Sequence, residues 1–287
     1  MAPDRLHLNV FVMGHGHHEA AWRHPRSTTA AITDVTHYRR LAQRAEEGLL
    51  DSVFFADQLI VGGDTEHRPR SGLEPLTLLA ALATATERIG LIATASTTYT
   101  EPYNLARQFA SLDHISHGRI GWNIVTSWAR GAARNFGLDR PIPHDERYAR
   151  AFEYMEVVTR LWDSWTDDAI LHDRESGRFA DPGRIKGAGF EGRYYRVNGA
   201  LTVPRPPQGI PSSCRPGRRR RAASSPRGTR RRSSPRSRIW PRRATSPPTS
   251  GAVRPPRAAT PGTSRSCRGS APSSARPRRR PGGLSGN

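Results

Sequence analysis

The sequence predicts an α/β protein: the N-terminal half of a TIM (β/α)8 barrel, followed by a disordered Arg/Pro/Ser-rich tail. Three observations carry that expectation. Four short apolar runs alternate with helix-patterned segments, the mark of a parallel sheet covered on both faces. No G-x-G-x-x-G follows the first run, which counts against a dinucleotide-binding doubly wound sheet and favours a barrel. Finally, residues 212–287 hold 21 arginines and no lysine or acid, leaving 24 basic residues against all 25 acids in residues 1–211. The formal net charge of +20 therefore belongs to the tail, and the rest is near neutral.

LHLNVFVM (6–13) is rich in strand formers. Thr33 or Asp34 can then cap a helix that brings Val35, Tyr38, Leu41, Ala42 and Ala45 to one face, with Gly48 loosening its end. LLDSVFFAD (49–57) reads as the second strand, EPLTLLAALATATER (74–88) as a helix and IGLIATAST (89–97) as the third strand. EPYNLARQFASLDHIS (101–116) is a helix and RIGWNIVTS (119–127) the fourth strand. A polar loop containing PIPHDERY (141–148) precedes a helix through AFEYMEVVTRLWDSW (151–165). GFEGRYYRVNGALTVPRPPQGIP (189–211) reads as a hairpin leading to a fifth strand, which is not expected to form because the tail begins at Ser212. The domain boundary is therefore set between residues 211 and 212.

In a barrel the chemistry sits at the C-terminal ends of the strands. Polar residues gather there: His15, His17 and His18; Asp57; Thr94, Ser96 and Thr97; Asn123, Thr126 and Ser127. From the residues alone each has a plainer role. Asp57 can cap a loop, Thr94 can bond backbone at the rim, and Asn123 can satisfy backbone groups. His144 and Tyr148, four apart, share a face on a helical turn and can be a surface pair. His15 and His17 form an H-x-H pair after the first strand, as in a metal-dependent barrel hydrolase, but no later strand offers a further histidine.

The tail is almost wholly Arg, Ser, Pro, Ala, Gly and Thr, with Trp240 its one aromatic residue, too little apolar surface to offset ordering. Cys214 and Cys267 both lie in it without disulfide or metal-site spacing and read as incidental thiols. A basic arm of this kind would bind nucleic acid nonspecifically and with steep salt dependence. The genetic code favours another origin. Read from the third base of each codon, a TCN serine becomes NTC, which encodes Phe, Leu, Ile or Val. PSSCRPG (211–217) then reads VVVQAG, and residues 224–240 read as a helix and a further strand. The tail is thus expected to be the same gene out of frame after Pro211, with no specific nucleic-acid partner. No apolar run of about 18 residues and no signal h-region occur, so the expectation is a cytoplasmic protein without membrane contact.

GHGHHEAAWRHP, FFADQ, LIATASTTYTEPYNLARQFASLDHIS, GRIGWNIVTS, HDERY and RYYRVNGALTVPRPPQG occur in this order across residues 6–211. Together they resemble the nitrilotriacetate monooxygenase component A group of the bacterial-luciferase-like flavin-dependent monooxygenases. The resemblance implies a luciferase-like TIM barrel and a flavoprotein oxidoreductase. Such an enzyme takes reduced FMN from a separate NAD(P)H:flavin reductase and uses O2 to oxygenate a small organic substrate. It implies homo-oligomers for the full-length members. It carries FMN contacts over to Asp57, Thr94, His144 and Tyr148, with Asn123 as a weaker addition, and singles out no catalytic residue. The family's phosphate-cradling turn follows VQAG; Arg218 and its neighbours stand there in this frame, so weak FMN binding or an inactive remnant is expected of the chain as written.

Overall fold

The computed structural model describes residues 6–28, 32–69 and 72–214. The tail from residue 215, with Arg218, Trp240, Cys267 and the disorder expected of it, lies outside them. Strand β1 (Asn9–Phe11) leads to helix α1 (Val35–Glu47), β2 (Ser52–Phe55), α2 (Pro75–Ala83), β3 (Gly90–Ser96), α3 (Pro102–Ile115) and β4 (Ile120–Val125). A short α4 (Arg130–Asn135) and the long α5 (His144–Trp162) follow. Two small hairpins come next, β5 (Ile170–Asp173) with β6 (Arg178–Ala180) and β7 (Phe190–Glu191) with β8 (Arg196–Val197), and then β9 (Ser212–Cys214). The main sheet is parallel throughout, in the order β1-β2-β3-β4-β9.

Local chemistry sets the helix starts. The Asp34 carboxylate accepts the Thr36 N–H at 2.9 Å, so Asp34, not Thr33, caps α1. Glu74 accepts from Leu76 N–H and Thr77 N–H at 2.9 and 2.7 Å, with Pro75 in the first turn of α2. Helix α5 starts at His144, so HDERY, read as loop from sequence, forms its first turns. Asp145 and Glu146 there complement the helix dipole.

The core lies between one sheet face and the helices. Leu91, Ala93 and Ala95 of β3 and Ile120, Trp122 and Ile124 of β4 alternate toward it, all buried. Trp122 packs against Phe109 of α3 (ring centroids 5.3 Å) and against Tyr154 and Trp162 of α5 (6.1 and 6.4 Å). The indoles keep their hydrogen bonds, Trp122 Nε1 to the Ala95 carbonyl and Trp162 Nε1 to that of Ala106, at 3.1 and 3.0 Å.

The fifth strand, expected to be missing, is present for three residues. Gly121, Trp122 and Asn123 of β4 align with Ser212, Ser213 and Cys214. The boundary at residue 211 is therefore corrected: Ser212–Cys214 belong to the sheet. Strand pairing uses backbone groups, so a strand with poor side chains still pairs if something delivers it. Gln208 does so. Its backbone N–H and its Nε2 donate to Asp113 (2.9 and 2.6 Å), Nε2 also donates to the Ile120 carbonyl (2.8 Å), and its Oε1 accepts from Ser212 Oγ (2.9 Å). Among the described residues no helix is long and apolar enough to cross a membrane.

Candidate functional site

The C-terminal ends of β1 and β2 open into a cavity of about 670 Å3, walled by residues 11–19 and 55–61, the segment before α2, and Asn135 and Phe136. That volume suits a small-molecule ligand, for which roughly 300–1,000 Å3 is usual. Asp57, on the loop directly after β2, stands in its wall with Glu74. Burial pushes the Asp57 carboxyl above its ordinary pKa, the Glu74 charge adds to the rise, and the Gln58 backbone N–H pulls it partly back.

Thr94 and Asn123 are brought together. They are register partners on β3 and β4, both buried, and Asn123 Nδ2 donates to Thr94 Oγ1 at 2.9 Å. With an acceptor lone pair used, the Thr94 hydroxyl proton remains available to a ligand. Asn123 Oδ1 accepts a long contact from Cys214 Sγ, 3.7 Å away. His144 and Tyr148 also meet, ring centroids 4.7 Å apart, at the start of α5. Both are exposed, and His144 Nδ1 sits 2.9 Å from Asp145 Oδ1. Asp57 alone of the five lines the cavity.

Further groups at this end escaped the sequence reading. Arg147, buried between His144 and Tyr148 in sequence, donates from a terminal guanidinium nitrogen to the Ser127 carbonyl at 3.0 Å. Ser127 Oγ donates to Ser96 Oγ at 2.9 Å, so the start of α5 is fastened to the ends of β3 and β4. Tyr99, just past β3, stacks on Phe136 at 4.6 Å and 11°. Burial raises its phenol pKa, and the Arg147 charge opposes that. Yet the Tyr99 hydroxyl, Thr98 Oγ1 and the Arg147 Nε are buried with no hydrogen-bond partner. Buried polar atoms are normally paired, so orphans gathered at strand C-termini mark a place for an absent ligand. HDERY contains Arg147 between His144 and Tyr148, and that place within the motif was the available signal.

His15 and His17 have separate partners. His15 Nδ1 is 3.2 Å from Ser27 Oγ, whereas His17 Nε2 donates to the Phe11 carbonyl at 2.9 Å and its ring meets Phe11 edge-on. Among the described residues no three His, Cys, Asp or Glu side chains gather closely enough to hold a metal ion.

Comparison with known proteins adds the following. A family model described as luciferase-like monooxygenase matches residues 15–232. N-acetyl-S-(2-succino)cysteine monooxygenase of Bacillus subtilis (strain 168) is 46% identical over 207 residues, covering 72% of this chain and 47% of that protein. Nitrilotriacetate monooxygenase component A of Aminobacter aminovorans is 44% identical over 222 residues, covering 73% and 49%. Among solved structures, a riboflavin lyase with modified FMN and riboflavin superposes with a TM-score of 0.67 at 36% identity, covering 74% of this chain and 50% of that one. The chain spans about half the length of the curated relatives it matches.

Proposed function

Because the chain belongs to the luciferase-like monooxygenase family, we propose that it derives from, and in its full-length form acts as, a flavin-dependent monooxygenase of small organic molecules. The observation that carries this reading is the cavity at the ends of β1 and β2, with the Thr98 and Tyr99 hydroxyls and the Arg147 Nε buried without partners at the same end of the sheet. Reduced FMN, when bound, supplies the activation of O2 and the oxygen delivered to the substrate. The chain's own residues bind, orient and keep water away. Asp57, whose pKa is raised by burial and by the Glu74 charge, presents its carboxyl at the cavity wall. Thr94, oriented by Asn123, offers its hydroxyl proton. His144 and Tyr148 present a ring and a phenol from the start of α5, which Arg147 pins to the sheet. Tyr99, held by Phe136, contributes the unpaired hydroxyl.

The reduced flavin is supplied by a separate NAD(P)H:flavin reductase, a reading supported by the designation of one relative as component A. We place the enzyme in the cytoplasm and read the tail after Pro211 as out of frame, with no specific nucleic-acid partner. Isothermal titration with FMN tests this. The chain as it stands binds weakly, and a frame-repaired, full-length form binds several orders of magnitude more tightly, since a phosphate cradle contributes several charge-assisted hydrogen bonds of ~1.5–3 kcal/mol each. Equal affinities would refute the frame reading, and a repaired enzyme with no affinity for FMN would refute the function.

A further inference from the structure

Tyr38, in the first turn of α1, is 5% exposed and lines the cavity at the ends of β1 and β2. Its ring is held edge-on against Phe55 at 5.9 Å and against His37 at 5.7 Å. Its hydroxyl has no such support. Burial alone pushes the phenol above its ordinary pKa, with no hydrogen bond or charge acting on it. The group is therefore an O–H donor at neutral pH, and among the described residues nothing accepts its proton. A buried hydroxyl without a partner is a cost that phenylalanine would not incur.

Gly72 keeps the space beside that hydroxyl open. Among the described residues, a methyl group on Gly72 would have the Tyr38 oxygen, 3.9 Å away, as its one neighbour within 4 Å. Gly72 is not among the glycines with a left-handed φ, so its backbone does not demand glycine. What a side chain would take away is the space. Gly72 lines the same cavity, and so does Asp57, two residues beyond the Phe55 on which Tyr38 packs. An unpaired donor, an open space beside it and a carboxyl thus belong to one cavity wall.

We propose that Tyr38 is a flavin-binding residue, its hydroxyl donating to a carbonyl oxygen on the pyrimidine edge of the ring, in the space that Gly72 leaves open. The proposal rests on the cavity being the flavin site. The pyrimidine edge alternates carbonyl, N–H and carbonyl, so it asks for a donor and an acceptor side by side. Tyr38 supplies the donor. A carboxyl accepts whether or not it is ionised, and Asp57 offers one. Such a bond places the ring, because a directional contact at one edge fixes an in-plane orientation that packing on the ring faces leaves free.

Lumiflavin, the ring without its ribityl phosphate, is the probe. Its affinity does not depend on a phosphate cradle and, being uncharged, it is not drawn to the arginine tail. Titrated into the full chain, it should bind Tyr38→Phe about fivefold more weakly than the unaltered protein, the worth of one neutral hydrogen bond. Difference infrared spectra of bound lumiflavin should show a lower carbonyl stretching frequency with Tyr38 than with the variant, a shift that a purely structural role would not produce. Without ligand, urea unfolding of the two forms should agree, since removing the hydroxyl strands no protein partner. Gly72→Leu keeps the phenol but fills the space, and should weaken lumiflavin binding at least as much. Equal affinities and equal carbonyl frequencies with Tyr38→Phe would overturn the proposal and leave the flavin site standing. A stability loss in that variant with unchanged affinity would also overturn it, by giving the hydroxyl to the fold. No binding of lumiflavin by any form would sink the flavin site, and this inference with it.

Discussion

The two ends of the sheet treat buried polar groups in opposite ways. At the N-terminal ends of the strands, Arg119 is 6% exposed. Its Nε donates to the Ser116 carbonyl, one terminal nitrogen to Thr86 Oγ1 and the Ile89 carbonyl, and the other to the Ala83 and Thr86 carbonyls, all at 2.7–2.9 Å. Every guanidinium donor is used. Nearby, burial raises the Asp113 pKa, and the two bonds from Gln208 pull it back. At the C-terminal ends, Thr98, Tyr99 and Arg147 each keep a buried polar atom unpaired, and Asp57 faces the like charge of Glu74. One end is satisfied by its own chain; the other is left for something that is not protein. That division follows the barrel rule that the N-terminal face carries stability and the C-terminal face carries chemistry.

The comparison breaks most readily at Arg119. Arg119→Ala leaves four buried carbonyls and a hydroxyl without their donor, and each orphan costs ~1–3 kcal/mol. We expect a loss of ~4 kcal/mol or more in urea unfolding, or failure to fold. Arg119→Lys should recover only part, since an ammonium has three donors. A loss under about 1 kcal/mol would erase the contrast. Gln208→Ala should cost ~2 kcal/mol and free β9 from β4, read as faster amide exchange at Ser212–Cys214 with the rest of the sheet protected.

At the other end the sign changes. Tyr99→Phe removes a hydroxyl that has no partner, so stability should be unchanged or rise by up to ~1 kcal/mol while FMN affinity falls. A clear loss of stability would mean that the hydroxyl is satisfied after all. The smallest effect is expected at Asp57. Its folded pKa lies above the ordinary value, so the folded state holds the proton more tightly, and stability falls as pH rises from about 3.8 through the raised value. Asp57→Asn should abolish that fall, making the variant slightly more stable at neutral pH and no different at lower pH. A titration of stability against pH in both forms checks it.

Much of this plan was legible in the sequence because its signals are local. Continuous apolar runs mark the strands of a parallel sheet, and each of the four matches a strand, although β1 is more exposed than a doubly covered strand would be. Asp34 marked the start of α1 through its own side chain. The pairing of Thr94 with Asn123 needed the strand register, which no single segment encodes. Arg119 stands at the start of the fourth strand segment with no local sign of its burial, because its five acceptors lie as many as 36 residues away. The β5–β6 hairpin and α4 were missed because neither buries an apolar stripe. Ser212–Cys214 lacked strand character, and only the distant Gln208 contacts explain their place.

Those contacts also impose an order in time. Asp113 and Ile120 emerge during synthesis 95 and 88 residues before Gln208. The first four strands can assemble as each βα unit appears, but the edge of β4 must wait, unpaired, while α4, α5 and both hairpins are made. Nascent chains therefore pass through an interval with an open parallel edge. A chaperone, a neighbouring nascent chain or β9 itself will be the first to reach it.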